Sequence, residues 1–491
     1  MFVFLLQIRD TVQHDVAVRL FSVFCALVWG LWLLKVVISR RYRPVVAPHR
    51  CTTTVVVPVV DEPVDLFREV LGRVVGQQPD QVVVVINGPR NPALEEVTAE
   101  FPAVDCEWTI VAGKRNAVRI GVERAWGDVV VLLDSDTLWT VGTLAELVKP
   151  FADPRVGGVT TAQRILDHRR SVITRWADWL ENSRVKYSMP AQSVLGSVGC
   201  LPGRTIAFRR DVLVRAMPEF LSARFLGVFL EVSDDRTLTN LALKQGHRTV
   251  YQSTSLVYTD APLRWRKLAK QQLRWARGSQ YNTMRMLPWM LRHTPVLALF
   301  FVADIVLPFL LLGAAIGAAY RIATGQGTNY YAGFLSSYGW SHGLFLVVAL
   351  TVTASALSMS IRHYRHLQER PFDLFWMPVF VLISSLFLMP IRLLGFFRMA
   401  HAGSWGTRDH AYTANAHPAP THAMQQPHPT AEGTLLTLTE RPSTATTTMT
   451  ASTVTTVSTV TARTRRHWNV WAAVPYLIGG AIIAAEILYR G

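Results

Sequence analysis

The sequence predicts an α/β domain with a mostly parallel sheet, embedded in an α-helical transmembrane bundle. Short runs rich in β-branched residues, TTTVVVPVV, QVVVVING and DVVVLLDSD, alternate with amphipathic stretches, which is the pattern of parallel strands joined by crossover helices. Half of the 491 residues are hydrophobic and the formal net charge is +16. This combination favours a membrane protein with positive charge in the cytosol or at lipid headgroups over a soluble nucleic-acid-binding protein.

Long apolar runs place the membrane segments. The first, Ala17–Ile38, is followed by SRRYRP, so the positive-inside bias predicts an outside N-terminus and a cytosolic domain after it. Further runs lie at Val296–Tyr320, His342–Met359 and Val470–Leu488. The run Leu374–Phe397 contains Pro378 and Pro390, and it predicts either a true span or a broken helix that is re-entrant or interfacial.

These runs divide the chain into segments. We predict an N-terminal membrane helix at 1–45, a cytosolic α/β domain at 50–262, interfacial helices at 263–293, membrane or interfacial helices at 294–400, a loop motif at 401–410, a flexible Thr-rich linker at 411–467 and a C-terminal membrane helix at 468–491. The scattered cysteines predict neither disulfides nor a zinc site: Cys25, Cys51, Cys106 and Cys200. The irregularly spaced histidines of the linker do not favour a metal site either: His410, His417, His422 and His428.

Two carboxylates follow the third apolar strand. Asp134 and Asp136, in VVVLLDSDT, stand at the carboxyl end of a buried strand, where open α/β folds place ligands. Such a pair suits Mg²⁺ or Mn²⁺, which keeps open positions for diphosphate oxygens. The alternative is a simple acidic turn.

Polar residues also follow the other strands. Asp61, Glu62 and Asn87 stand at the ends of the first two strands, where their oxygens could accept the imide N–H of a uracil ring. Lys114 and Arg115, in GKRNA, could neutralise phosphate. Each is otherwise an ordinary loop residue.

A second acidic pair, Asp234 and Asp235, lies in EVSDDRTLTN. Adjacent carboxylates disfavour double ionisation, which suits a general base that deprotonates a sugar hydroxyl. The alternative is a helix cap.

A basic segment, KQQLRWARGSQY, precedes the next apolar run. Its cations recur at intervals of three or four and form one helical stripe: Lys267, Lys270, Arg274 and Arg277. The stripe suits anionic lipid headgroups or an anionic substrate, with Trp275 beside it for a sugar or base.

The order GKR, LDSDT, SDDR, QQLRW resembles that of the processive family-2 glycosyltransferases, which include cellulose, chitin and hyaluronan synthases. SWGTRD, with Trp405 and Arg408, is similar to a motif of hyaluronan synthases and close relatives. The resemblance covers roughly residues 50–410. It implies a GT-A fold, a Mg²⁺ or Mn²⁺ cofactor, UDP-sugar donors, a growing polysaccharide acceptor and a secretion channel.

The resemblance also implies roles for matching residues. Asp134 and Asp136 correspond to ligands of the metal and the nucleotide diphosphate. Asp235 corresponds to the general base, which Asp234 supports. Asn87 departs from the family pattern by replacing an aspartate, and Ser233 by replacing a common glycine. CLPGRTIAFRR, around Cys200 to Arg210, resembles the loop that shapes the acceptor pocket, although its CLPGR is closer to that of the single-enzyme capsular synthases than to that of many hyaluronan synthases.

The QxxRW signature is matched by Gln271, Arg274 and Trp275. In the family the arginine binds the diphosphate and the tryptophan stacks under the acceptor sugar. Trp405 and Arg408 would close over bound nucleotide as a gate.

The resemblance predicts a multi-pass plasma-membrane enzyme with a cytosolic catalytic domain. It would polymerise UDP-GlcNAc and UDP-GlcA into a β-linked, hyaluronan-like polymer by inverting transfer and secrete it, with membrane lipids as partners and no obligate protein partner. The alternatives are a capsular, chitin or cellulose-like synthase, a non-processive lipid-linked glycosyltransferase and a transporter regulated by nucleotide sugars.

Overall fold

The computed structural model describes residues 16–230, 232–324, 330–401, 473–477 and 479. Its strands are β1 Thr53–Val59, β2 Gln81–Asn87, β3 Val104–Thr109, β4 Val129–Leu133, β5 Thr137–Trp139, β6 Val156–Ile165, β7 Thr205–Arg209, β8 Arg224–Phe225, β9 Val228–Phe229 and β10 Arg248–Thr259. Its α-helices are α1 Val16–Ser39, α2 Val64–Val75, α3 Pro92–Ala99, α4 Lys114–Arg124, α5 Thr143–Val148, α6 Val172–Ser183, α7 Met189–Val194, α8 Arg210–Leu221, α9 Asp234–Lys244, α10 Trp265–His293, α11 Pro295–Thr324, α12 Tyr330–Arg362, α13 Tyr364–Glu369, α14 Met377–Leu382 and α15 Met389–Phe397.

The large sheet has eight strands in the order β3-β2-β1-β4-β7-β6-β10-β5. β1 pairs in parallel with β2 and with β4, so the three strands expected from the sequence are neighbours at its centre, and the predicted mostly parallel sheet is confirmed. β7 runs antiparallel between β4 and β6, and β5 runs antiparallel to β10. The sequence reasoning did not identify these antiparallel strands.

Apolar layers cover both faces of the sheet. All seven residues of β1 are buried; Val55 and Val57 contribute to the core under α2 and α3, whereas Val56 packs in the core under α4. Alternate side chains of a strand point to opposite faces, and fully burying each such valine stabilises the fold by about 1.5–3 kcal/mol. Because β1, β2 and β4 are parallel neighbours between these layers, their carboxyl ends meet at the same edge of the sheet.

Four helical stretches are long and apolar enough to cross a membrane. They are Val18–Ser39, Pro295–Tyr320, Ser336–Arg362 and Pro371–Phe397. α1 packs on α11 through Leu31, Phe300 and Ala303, and α12 exposes large apolar side chains such as Phe345 and Leu357. An exposed apolar surface of this kind fits contact with lipid, and the protein is a membrane protein.

Pro378 and Pro390 do not break the last of these stretches. Each stands in the first turn of a new helix, α14 or α15, where a missing backbone N–H costs little. The two helices are joined by the π-helical turn Ile383–Leu388. The run is therefore continuously helical, and the prediction of a break at the prolines is wrong.

Several predicted segments lie outside the described residues. They are the loop motif after residue 401, the Thr-rich linker, the linker histidines and most of the C-terminal membrane helix. The interfacial region predicted at 263–293 forms one helix, α10. The four cysteines are free in the structure.

Candidate active site

The carboxyl end of β4 carries the first acidic pair. The Lys114 ammonium, at the start of α4, forms an ion pair with the Asp134 carboxylate, and both side chains are about four-fifths buried. The Asp134 backbone N–H donates to the Arg204 carbonyl over 3.1 Å, which holds the turn after β4 against the loop before β7. Lys114 therefore lies beside the first aspartate of the pair, and Asp136 follows on the same turn.

Glu62 shapes this turn from inside the fold. The Ser135 hydroxyl donates to Glu62 Oε1 over 2.8 Å, and both side chains are buried. The predicted contact between Glu62 and a uracil ring does not fit this arrangement. The Glu62 carboxylate lies instead under the turn that presents Asp134 and Asp136. Asp61, one residue earlier, is exposed at the end of β1 and remains open to a ligand.

Asn87 is also a structural residue here. Its side chain is fully buried, its amide donates to the Val59 carbonyl over 2.9 Å, and its Oδ1 accepts from the Gly113 backbone N–H over 3.1 Å. The amide thus joins the end of β1 to the loop that delivers Lys114. The predicted contact with a uracil imide is corrected for this reason.

Asp235 lies in the first turn of α9. Its Oδ1 accepts from the Arg236 backbone N–H over 2.8 Å, and its Oδ2 accepts from the Gly203 backbone N–H over 3.2 Å. A carboxylate at a helix N-terminus is stabilised by the helix dipole. The Cys200 Sγ lies 3.9 Å from Oδ2, and burial, followed by the Asp235 charge, raises the pKa of that thiol to about 12.

The preceding residue, Ser233, has a φ of 60° in the left-handed region, where glycine is favoured over residues with a Cβ. This geometry gives a physical reason for the glycine that the resemblance leads us to expect at this position. Ser233 Oγ donates to Asp235 Oδ1 over 3.3 Å, so the serine adds a contact to the carboxylate.

Asp234 is held by a buried ion pair. Arg115 Nε lies 2.7 Å from Asp234 Oδ1, with the two side chains 3% and 10% exposed. The same guanidinium donates to the Phe220 carbonyl over 2.9 Å. The expected phosphate-binding role of Arg115 is corrected, because it is enclosed within the fold and anchors the Asp234–Asp235 turn.

The two acidic turns meet at Gly203. A Cβ placed on this glycine would lie 3.5 Å from Asp235 Cβ and 3.5 Å from Lys114 Nζ. The same position is 3.7 Å from Asp134 Oδ2. The bare backbone of Gly203 therefore leaves a small cradle, the size of one methyl group, between a carboxylate of each turn and an ammonium.

The QxxRW helix, α10, packs directly on the turn that carries Asp235. A Cβ on Gly278 would come within 2.5 Å of Ser233 Cβ, so only glycine permits this approach. The Arg236 guanidinium, which is buried, donates to Thr283 Oγ1 over 2.7 Å and also to Ser279.

Trp275 of α10 lies beside Arg204, whose guanidinium is 6.0 Å from the centre of the indole ring. Arg204 is held by Glu181 over 2.8 Å. Burial raises the pKa of Glu181, but the charges of Arg184 and Arg204 outweigh it, so the pKa lies below its usual range and the carboxylate stays charged. Gln271, Arg274 and Trp275 share one helical face at spacings of three and four. The partly exposed Trp275 thus lies next to the Gly203 loop.

The resemblance predicts that the segment from Cys200 to Arg210 shapes the acceptor pocket, but it gives no separate roles to Cys200, Gly203 and Arg204. The Pro-Gly pair in CLPGR marks a turn and does not show which residues lie beside it. The structure also places Arg236 and Gly278 as the residues that join the Asp235 turn to α10. Trp405 and Arg408 lie outside the described residues.

No group of three His, Cys, Asp or Glu side chains forms a ready metal site within the described parts of the chain. Asp134, which lies next to the Gly203 cradle, and Asp136, which follows two residues later on the same turn, nevertheless provide oxygen ligands. Mg²⁺ is commonly bound by one or two carboxylates, with substrate phosphates and water completing its shell. The acidic pair therefore fits a divalent cation that arrives with a phosphorylated substrate.

The sheet with an acidic pair at its carboxyl edge is the GT-A arrangement of a glycosyltransferase. Residues 48–278 match the family described as glycosyltransferase like family 2; this segment is a family-2 glycosyltransferase domain, and the chain is a glycosyltransferase. Hyaluronan synthase from Streptococcus pyogenes is 27% identical over 389 residues, which cover 77% of this chain and 88% of the synthase.

Two further proteins are similar over part of the chain. An N-acetylglucosaminyltransferase from Azorhizobium caulinodans is 31% identical over 240 residues, which cover 47% of this chain and 60% of that enzyme. A mannosyltransferase from Pyrobaculum calidifontis, solved in complex with GDP-Man and Mn²⁺, has a TM-score of 0.53 and 22% identity, covering 76% of this chain and 98% of that one. The similarity to the mannosyltransferase structure supports the GT-A fold.

Proposed function

We propose that this protein is a processive, inverting glycosyltransferase that polymerises UDP-GlcNAc and UDP-GlcA into a hyaluronan-like polysaccharide and secretes it. The main support is the convergence of Asp134, Lys114 and Asp235 around Gly203, with the QxxRW helix packed on the turn that carries Asp235. The similarity to hyaluronan synthase over 77% of the chain favours these two donors over a single-sugar polymer. Capsular, chitin and cellulose-like synthases are the alternatives, and a chitin-like product is one of the other outcomes of the test below.

Asp235 accepts the proton from the attacking hydroxyl of the acceptor sugar. The hydroxyl oxygen forms the new bond to the anomeric carbon on the face opposite the leaving UDP, which departs with the electron pair of the broken bond and inverts the configuration. The backbone N–H of Gly203 and that of Arg236 hold the base in position. Trp275 provides an apolar face on which the acceptor ring can stack.

Cationic groups stabilise the charge that develops on the leaving diphosphate. Lys114 stands at the cradle, and Arg274 lies one residue before Trp275 on α10. A divalent cation, Mg²⁺ or Mn²⁺, held by Asp134 and Asp136 would supply Lewis-acid neutralisation of the diphosphate oxygens. The Mn²⁺ found with the mannosyltransferase of similar fold supports a metal of this class. Asp61 is the remaining candidate for contact with the uracil ring of the donor.

Purified protein supplied with labelled UDP-GlcNAc and UDP-GlcA, singly and together, tests the proposal. Long polymer that requires both donors supports it. Polymer from UDP-GlcNAc alone points to a chitin-like synthase, and transfer of one sugar to lipid points to a non-processive enzyme. Binding without transfer points to a regulated transporter, and each of these three results contradicts the proposal.

Asp136→Asn is expected to weaken metal-dependent UDP binding, because the substitution removes one anionic metal ligand. Titration of UDP with and without Mn²⁺ measures the effect. Asp128→Asn is the matched control, since Asp128 lies at the opposite end of β4 and bonds to Thr52 Oγ1 over 2.7 Å. Binding that survives both EDTA and the Asp136 substitution would show that no metal acts at this pair.

We also propose that the catalytic domain is cytosolic in the plasma membrane and that the stretch 371–397 lies along the interface. Arg175 pairs with Asp373 over 2.8 Å near the start of that stretch. Near its end, Arg277 of α10 donates to the Arg398 carbonyl over 2.9 Å and also to His401. Because both ends are held on the side of the catalytic domain, an interfacial path keeps Trp405 and Arg408 on that side.

A cysteine introduced by Ser404→Cys tests this topology in a background without the native cysteines. Only reagents that reach the cytosol are expected to label it, and UDP with metal is expected to protect it if Trp405 and Arg408 close over the nucleotide. Labelling by an impermeant reagent added outside intact cells would contradict both the topology and the gate.

A further inference from the structure

A cavity of about 610 Å³ opens where the end of α1, the strands β6 and β10 and the residues after α12 meet. Five cationic side chains line it: Arg40, Arg43, Arg164, Lys186 and Arg365. No carboxylate is among the described residues that line the cavity. Its remaining walls include the hydroxyl groups of Tyr42, Ser253 and Thr254.

The wall beside β10 is built by specific contacts. The pairing of β10 with β6 is interrupted by an irregularity between Gln252 and Leu256, which places Ser253 and Thr254 at the cavity. Tyr42 Oη donates to the Tyr251 carbonyl over 2.8 Å and accepts from the Ser253 backbone N–H over 3.0 Å. The segment after α1 is thus fixed to the edge of the cavity.

The positive charge of the cavity is only partly compensated. Arg164 and Lys186 share one carboxylate, that of Glu369. Arg43 donates to the carbonyls of Arg40 and Tyr42, and Arg365 donates to the Lys186 carbonyl over 3.1 Å. Within the described part of the chain, Arg40, Arg43 and Arg365 have no carboxylate partner.

The cavity lies at the ends of two candidate spans. Ser39, the last residue of the span Val18–Ser39, lines it. Arg365 follows the span Ser336–Arg362 by three residues, and Trp32 Nε1 donates to the Arg362 carbonyl over 2.8 Å. The cations that follow both spans therefore lie around the same cavity, at the depth where lipid headgroups are expected.

We propose that this cavity binds the phosphodiester headgroup of an anionic phospholipid. Arginine donors match phosphate oxygens in a forked geometry, and the cavity is large enough for a headgroup in addition to one phosphate. A bound headgroup would join the end of α1, the strands β6 and β10 and the segment after α12, so it would stabilise the folded protein by mass action. This site is independent of the sugar chemistry proposed above.

The full-length protein in nanodiscs of phosphatidylcholine, alone or mixed equally with phosphatidylglycerol, tests the proposal. The readouts are the midpoint of thermal unfolding and the phosphatidylglycerol retained in native mass spectra. The Arg40→Gln/Arg365→Gln double variant is expected to bind phosphatidylglycerol about fivefold more weakly for each arginine removed. Its unfolding in phosphatidylcholine alone reports whether it folds as the wild type does.

Arg292→Gln is the matched control, because Arg292 is an exposed cation near the start of α11 and does not line the cavity. Equal stabilisation of the wild type and the double variant by phosphatidylglycerol would overturn the proposal, as would an equal loss in Arg292→Gln. A third arm adds inorganic phosphate to phosphatidylcholine nanodiscs. If phosphate reproduces the full effect of phosphatidylglycerol, the site takes a free anion and the lipid assignment is wrong.

Discussion

Asp235→Asn is expected to lower the rate of sugar transfer by about 10²–10⁴-fold, the usual loss when a general base is removed. UDP binding should persist, because Asp235 acts on the acceptor hydroxyl and contacts no group that we assign to the nucleotide. The amide keeps the size of the side chain but has only one acceptor oxygen, so it can keep one of the two bonds that Asp235 accepts from the Gly203 and Arg236 backbone N–H groups. The measurement is single-turnover transfer from labelled donor, paired with a UDP titration.

Asp211→Asn is the control for this experiment, because it makes the same chemical change away from the site. Asp211 lies on α8 in an exposed ion pair with Arg215. Near-normal transfer by the Asp235 variant would remove that residue from the mechanism. Loss of both transfer and UDP binding would indicate instead that the Asp235 turn supports the nucleotide site as a whole.

The central strands were predictable because their signal is local. Each is a short apolar run followed by a turn, and parallel strands end at a common edge. That rule alone placed Asp134 at the carboxyl edge of the sheet. The antiparallel strand β7 was not predictable, since its pairing with both β4 and β6 depends on a path of the chain that no local pattern records.

The roles of Glu62, Asn87 and Arg115 were beyond sequence reasoning for a related reason. Each is a polar residue beside a motif, where a ligand contact and a structural contact have the same local pattern. Their partners are distant in sequence, as with Arg115 and Asp234, which are 119 residues apart. A buried polar group must find a partner inside the fold, and burial was the information that the sequence lacked.

Gly203 shows the opposite case, in which the segment was recognised and the neighbours of its glycine were not. The resemblance assigned CLPGRTIAFRR to the acceptor pocket, but only the structure shows that this glycine lies beside Asp134, Lys114 and Asp235. The two acidic turns come from opposite parts of the domain, and Gly203 lies between them through the pairing of the Asp134 N–H with the Arg204 carbonyl. The site therefore depends on contacts between loops that the sequence reasoning treated separately.

Arg115→Met is expected to destabilise the catalytic domain by about 3–5 kcal/mol, the usual cost of removing one partner from a buried ion pair. The methionine fills much of the volume but leaves the Asp234 carboxylate enclosed without its cation. Denaturant unfolding of the purified protein, followed by the fluorescence of buried tryptophans, measures the loss. The control is Arg119→Met on the same helix, whose exposed pair with Glu123 is worth about 0.5 kcal/mol or less.

The double variant Arg115→Met/Asp234→Asn separates the charge from the packing. Because both charges are gone, it should recover part of the stability that the single variant loses, while transfer stays low if Asp234 supports the base. Equal destabilisation by the Arg115 and Arg119 single variants would show that the buried pair contributes no more than a surface pair. The Asp234–Asp235 turn would then owe its position to α10, through the contact of Gly278 with Ser233 and the bond of Arg236 to Thr283.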